Sequence, residues 1–182
     1  MPPDTLIRAA TAADAACLGV LATQVFLDTY ATDGIHPAIA AEVQRSFSTA
    51  TMQALIEHTD TVLRVAERQG HLIAFAQLTL GARPGGAPSL PSVLPVELDR
   101  LYVQEPVTGQ GLGRALLGDA EAQVLARGAT SLWLTVWVGN ARARAFYAAL
   151  GYADVGQAWF EMDDLRHENR VLSKSLKPKS GS

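Results

Sequence analysis

The chain has 182 residues, 48% of them apolar and 18% charged, with a net charge of −3 and a pI near 5.8. This is the size and composition of one globular domain with a sizeable core, and it excludes a disordered chain. The mildly acidic balance argues against a nucleic-acid partner, and a single cysteine, Cys17, excludes an internal disulfide framework or a cysteine-rich metal site.

Met1-Pro2-Pro3-Asp4 lacks the basic start and apolar run of a secretory leader, and no stretch approaches the roughly 18 apolar residues needed to span a membrane. A soluble cytoplasmic protein without membrane contact is expected. Leu6 to Ala10 reads as a first strand, and Thr11 to Asp14 supplies an N-cap for an Ala-rich helix running to about Phe26. On that helix Cys17 reads as a small core residue. Residues 37–58 are helical in character, broken near Ser46 to Thr51. Thr61 to Ala66 and Leu72 to Leu80 read as antiparallel strands joined through Gln69-Gly70-His71.

Gly81 to Pro95, rich in Gly and Pro and nearly uncharged, is an inter-strand loop. Val96 to Val103 forms a strand, followed by a Gly-rich loop and a helix from about Gly111 to Arg127 whose Leu112, Leu116, Ala120 and Val124 share a buried face. Leu132 to Val138 is an apolar central strand, and Ala141 to Leu150 is a short helix stopped by Gly151. Tyr152 to Met162 and Arg170 to Leu176 close the sheet as an antiparallel pair. The order is βααβββαβαββ.

The loop Thr108-Gly109-Gln110-Gly111-Leu112-Gly113 lies between a strand and a helix. Such a loop offers a row of backbone N–H groups at the positive end of the helix, a cradle for pyrophosphate, and Arg114 adds a cation. By itself the glycine pattern fits a tight turn equally well. A dinucleotide-binding unit is excluded by context, because the loop lies past mid-chain and no acidic residue ends the next strand. A Walker loop is excluded by the missing Gly-Lys-Ser/Thr.

A second motif, Asn140-Ala141-Arg142-Ala143-Arg144-Ala145-Phe146-Tyr147 with Gly151-Tyr152, follows in order. With the loop, it resembles the GNAT superfamily of N-acetyltransferases, whose pyrophosphate motif is Gln/Arg-x-x-Gly-x-Gly/Ala and whose later motif is Asn-x-x-Ala-x-x-Phe-Tyr-x-x-x-Gly-Phe. Thr108 departs from the first position. Phe26 to Tyr30, Leu132 to Trp137 and Phe160-Glu161-Met162 look like the PaiA branch, linked to acetylation of spermidine, spermine and related amines.

The resemblance implies an α/β (α+β) fold: one GNAT-like domain over residues 1–176, a mixed, mostly antiparallel sheet of six to seven strands, and helices on both faces. Residues 177–182 form a flexible tail. It implies acetyl-CoA as cosubstrate, held by the backbone of Leu101, Tyr102 and Val103, by Gly109, Gln110, Gly111, Leu112, Gly113 and Arg114, and by Asn140 and Tyr147. A small-molecule primary amine, such as a polyamine, is the implied acceptor, and a homodimer is common in the family. The open alternatives are a peptide or protein N-acetyltransferase and a non-catalytic acyl-CoA-binding module.

An alkylammonium must lose its proton before it attacks a thioester, with a pKa of about 10 to overcome. Alternation puts Glu97, Asp99 and Leu101 on one strand face. Glu97 stands four residues before Leu101, where many members of the family carry a glutamate acting through water; a carboxylate facing solvent or pairing with Arg100 is the plainer reading. The departing thiolate needs an acid. Tyr147, two helical turns after Asn140, takes that role by resemblance, and a core tyrosine beside Phe146 is the plainer reading. Asp28, Tyr30, Glu97 and Trp137 are the acceptor-side candidates. Asp33, Glu161 and Asp163 are further carboxylates, and Trp133 with Trp137 reads first as core. His36, His58, His71 and His167 are scattered surface histidines without metal-ligand spacing.

Overall fold

Strand alternation, helix caps and turn glycines set the elements in turn. The computed structural model describes residues 4–83, 94–162 and 165–176. The middle of the Gly81 to Pro95 loop, Asp163 and the 177–182 tail lie outside them. The first strand, β1, is Thr5–Ala9. A 3-10 turn, Ala12–Asp14, follows, closed by a capping box in which the Thr11 N–H donates to Asp14 Oδ2 at 2.7 Å. It leads into α1, Ala15–Tyr30.

Helices α2 (Pro37–Ser46) and α3 (Thr49–Glu57) have separate caps: His36 Nδ1 accepts from the Ala38 N–H at 3.3 Å, and Ser48 Oγ from the Thr51 N–H at 3.1 Å. Phe47 and Ser48 divide this helical stretch within the break expected near Ser46 to Thr51, so that three α-helices, and not the two of the expected order, lie between the first two strands. Strands β2 (Thr61–Arg68) and β3 (His71–Leu80) turn at Gln69 and Gly70, both with positive φ. Then come β4 (Pro95–Val103), α4 (Leu112–Ala126), β5 (Ser131–Trp137), α5 (Ala141–Ala148), β6 (Ala153–Met162) and β7 (Leu165–Ser175). The last strand starts five residues before the expected Arg170, because its ladder with β6 runs from Met162–Leu165 to Ala153–Ser173.

Among the described residues the strands form one seven-stranded mixed sheet in the order β1-β2-β3-β4-β5-β7-β6, with five α-helices distributed on both faces. Pairing is antiparallel for β1–β2, β5–β7 and β6–β7, and parallel for β4–β5. The β4–β5 ladder covers only Pro95–Ser131, Val96–Leu132 and Glu97–Trp133. From Leu98 onward the β4 backbone is therefore not spent on that ladder.

The chain packs as two compact units. The first, Met1–Leu78 with Arg100–Ala120, has a core that includes Leu18, Met52, Val65, Phe75 and Leu116. Arg8 ties its start together: the guanidinium bonds Asp14 at 2.7 and 2.9 Å and Glu67 at 2.6 Å, and these bonds hold the Asp14 carboxyl down to about 2. The second unit, Thr79–Asp99 with Glu121–Ser182, is built around Leu132, Trp133, Leu134 and Val171.

Two further sequence expectations change. Residues Ala12–Tyr30 form one helical stretch long and apolar enough, by length and composition, to cross a membrane. Its Leu18, Leu21, Ala22 and Phe26 are buried against the first unit's core, which accounts for the apolar run. Cys17 is exposed and not a core residue, because the buried face of α1 runs through Ala15, Leu18 and Ala22 and turns position 17 outward.

Candidate functional site

The Gly-rich loop begins at a second 3-10 turn, Glu105–Val107. The Thr108 hydroxyl donates to the Glu105 carbonyl at 2.8 Å, and Gln110 Nε2 to the Pro106 carbonyl at 3.2 Å. Both side chains fold back on the loop and set its shape. Thr108 thus acts on the turn itself, a role its departure from the family motif did not announce.

Gly109 (φ 75°) and Gly111 (φ 80°) occupy the left-handed region. A Cβ on Gly109 would meet nothing within 4 Å, so that surface is open to a ligand. The Ala115 N–H donates to the Gly111 carbonyl at 3.0 Å, which starts the helical ladder of α4. The N–H groups just before it are the orphan donors of a 15-residue helix, gathered where its dipole is positive. Gly109, Gln110, Gly111, Leu112, Gly113 and the exposed Arg114 are thus gathered at the N-terminal end of α4, where backbone N–H groups and a cation favour an anion.

Leu101, Tyr102 and Val103 end β4, beyond the stretch paired with β5. Gln104 fixes this end: its N–H donates to the Ile73 carbonyl at 3.0 Å and its Nε2 to Gln24 Oε1 at 2.9 Å. The Tyr102 ring packs edge-on to Phe75 (5.3 Å) and Phe47 (6.4 Å), and burial pushes its phenol up to about 12. Phe47 in turn meets Phe26 at 5.4 Å, and Phe26 meets Tyr30 at 4.8 Å. Of the acceptor-side candidates in this unit, Tyr30 joins the aromatic cluster and is 42% exposed, whereas Asp28 is simply exposed. An open groove of about 410 Å³ beside α1, between Val20, Thr23 and Phe47, contains none of the sequence-predicted site residues.

The second unit holds Glu97, Trp137, Asn140 and Tyr147. Glu97 is half-buried and stands in register with Trp133, whose Nε1 donates to the Ala82 carbonyl at 2.9 Å. Trp133 is core, as read from sequence; Trp137 is half-buried, edge-on to His167 at 6.3 Å. Asn140 is the N-cap of α5, its Oδ1 accepting from the Ala143 N–H at 3.0 Å, which leaves its amide NH₂ for other work. Tyr147 is 8% exposed, between the rings of Phe146 (5.2 Å) and Tyr152 (5.4 Å).

Behind Tyr147 lies a group the sequence did not disclose. The Tyr152 hydroxyl donates to Glu121 Oε1 at 2.8 Å, and Lys174 Nζ donates to both Glu121 oxygens at 2.8 Å while lying 5.3 Å from the Tyr152 ring centroid. Burial, with the Glu121 carboxylate beside it, pushes the Tyr152 phenol well above its ordinary value, so it stays a neutral donor. Its only sequence trace was Tyr152 itself, at the end of the second motif. Among the described residues no group of three His, Cys, Asp or Glu side chains is placed to hold a metal ion.

Residues 29–152 match the Acetyltransferase (GNAT) family. The chain belongs to that family and is by class an acetyl-CoA-dependent acyltransferase. An uncharacterized N-acetyltransferase of Lactobacillus delbrueckii is 32% identical over 81 residues, 44% of this chain and 47% of that protein, so the match spans about half of that relative. A [ribosomal protein bS18]-alanine N-acetyltransferase of Escherichia coli K12 is 31% identical over 111 residues, 59% of this chain and 75% of that protein. The PaiA N-acetyltransferase of Thermoplasma acidophilum, solved in complex with coenzyme A, shares the fold with a TM-score of 0.73 at 22% identity, covering 94% of this chain and 98% of that one.

Proposed function

We propose that the chain transfers the acetyl group of acetyl-CoA to the primary amine of a small molecule, by direct attack with both substrates bound. The observation that carries this reading is the open loop of positive-φ glycines at the start of α4. The β4 backbone left out of the β5 ladder beyond Glu97 supports it, since Leu101 to Val103 keep N–H and C=O groups for the amides of a pantetheine arm. Asn140 offers its NH₂ to the same arm.

Acetyl-CoA supplies an activated acetyl carbonyl. Glu97, through a water, takes the proton that the acceptor ammonium must shed before its nitrogen bonds to the carbonyl carbon. As the carbon–sulfur bond breaks, Tyr147 gives its phenolic proton to the sulfur; the second proton that the nitrogen sheds on becoming an amide restores the phenol through water, and the proton held by Glu97 returns to solvent. Tyr147 suits an acid role: its ring is buried and fixed between two others, so its orientation costs little entropy in the reaction.

For the acceptor, the PaiA-like sequence segments Phe26 to Tyr30, Leu132 to Trp137 and Phe160 to Met162 support a polyamine as one reading, with Asp28, Tyr30, Glu97 and Trp137 as its candidate contacts. The identity with the bS18-alanine enzyme supports a peptide N-terminus as the second reading. A cytoplasmic location and a homodimer belong to the same proposal. The loop is tested by calorimetry of acetyl-CoA with Gly109→Ala. A Cβ at φ 75° strains the loop and covers the open cradle, so affinity falls by about tenfold. Equal affinity in the variant means the phosphates bind elsewhere.

A further inference from the structure

Arg100 immediately precedes Leu101, on the part of β4 beyond its ladder with β5. Its side chain is half-buried. Nη1 donates to Oε1 of Gln77, a residue only 3% exposed, and the guanidinium lies 5.2 Å from the centroid of the Phe47 ring with the Tyr102 hydroxyl beside it. All three partners are neutral.

Three other arginines of this unit show what is missing. Arg8 takes Asp14 and Glu67, Arg64 takes Asp119, and Arg45 takes Glu42. Glu42, the buried carboxylate of this cluster, has one oxygen bonded by Arg45 and the other by Ser46. Among the described residues no carboxylate forms an ion pair with Arg100, whose side-chain partners are Gln77, Phe47 and Tyr102. A guanidinium that has lost part of its hydration without a directly paired carboxylate is left with a desolvation cost that an anion offsets. Gln77 and Phe47 hold the plane still, which presents the remaining N–H donors as a preformed fork for a carboxylate. The half-exposed Tyr30 extends the aromatic wall of Phe26, Phe47 and Tyr102 toward solvent, which gives the fork a route of approach.

We propose that Arg100 anchors a carboxylate of the acceptor, so that the acceptor is an amino acid or a short peptide with a free carboxylate and not a polyamine. The inference rests on the acetyl-transfer reading above. A polyamine, with several positive charges and no anion, meets like charge at Arg100, whereas an amino-carboxylate supplies the missing partner.

The test uses matched acceptor pairs that differ only in the carboxylate: alanine with ethylamine, lysine with cadaverine, and a dialanine peptide with its C-terminal amide. Thiol release from acetyl-CoA gives kcat/KM for each. For at least one pair the acid is expected to exceed its partner by at least about tenfold, and Arg100→Gln to erase that preference. The first two pairs and the third separate a free amino acid from a peptide. Equal or better turnover of the amines, or an equal loss on both members in Arg100→Gln, overturns the proposal. If Arg100→Gln does not fold, Arg100→Lys decides: it keeps the charge and loses the fork, so an unchanged preference overturns the proposal and a severalfold fall supports it. If no acceptor promotes thiol release, acetyl transfer is the reading that has failed. Calorimetry of N-acetylalanine and N-acetyllysine with coenzyme A present then still judges Arg100. Binding lost in Arg100→Gln supports the anchor; no binding, or equal binding, rejects it.

Discussion

The phenol of Tyr147 sits between Phe146 and Tyr152, and Tyr152 is itself held by Glu121 and Lys174. Replacing Tyr147 by Phe keeps the ring packing and removes only the proton. Turnover should fall by about 100-fold, with acetyl-CoA affinity within a factor of about two. Unchanged turnover removes Tyr147 from the chemistry and leaves it a core residue. A different residue governs acid stability. Asp14 titrates at about 2 in the fold against an ordinary 3.8, because its hydrogen bonds to Arg8 favour the charged form. The native state thus binds its proton less readily than the unfolded chain. The contribution, about 2 kcal/mol, is complete above pH 4 and disappears as pH falls from about 4 to about 2. Asp14→Asn should therefore be less stable than the parent at pH 6 and about equal to it at pH 2, by urea midpoints. A gap that does not narrow with acid contradicts the assignment.

Among the elements, α1 and the turn between α2 and α3 come into close backbone contact at Gly19. A Cβ there would lie 2.4 Å from the Phe47 carbonyl oxygen, a backbone atom that cannot swing aside. Gly19→Ala should cost about 1–3 kcal/mol in stability, read from the thermal or urea midpoint. It should also displace Phe47, whose ring faces Arg100. A variant as stable as the parent shows that the helix can shift freely. The same layer explains two sequence features. The exposed Cys17 and Val20 lie on the outward face of α1, and the division at Phe47 and Ser48 puts an aromatic ring under the helices.

For the molecule as a whole, local signals were legible where periodicity and caps act over a few residues. The turn at Gln69-Gly70, the left-handed Gly151 in the turn that follows α5 and the buried face of α4 through Leu112, Leu116, Ala120 and Val124 are all of this kind. What depends on distant pairing was not legible. The early end of the β4–β5 ladder at Glu97, the bond from Arg100 to Gln77, and the Tyr152–Glu121–Lys174 group join residues 23 to 53 positions apart. Asn140 lies between these cases: the motif marked it, but its use as a cap for α5 needed the backbone.

Catalysis itself is read out by acceptor-dependent release of coenzyme A thiol from acetyl-CoA. With polyamines, amino acids and peptides offered in turn, at least one acceptor should raise release well above the rate without it and yield the N-acetyl product. Acetyl-CoA that binds while no acceptor accelerates release would contradict acetyl transfer and leave an acyl-CoA-binding module in its place.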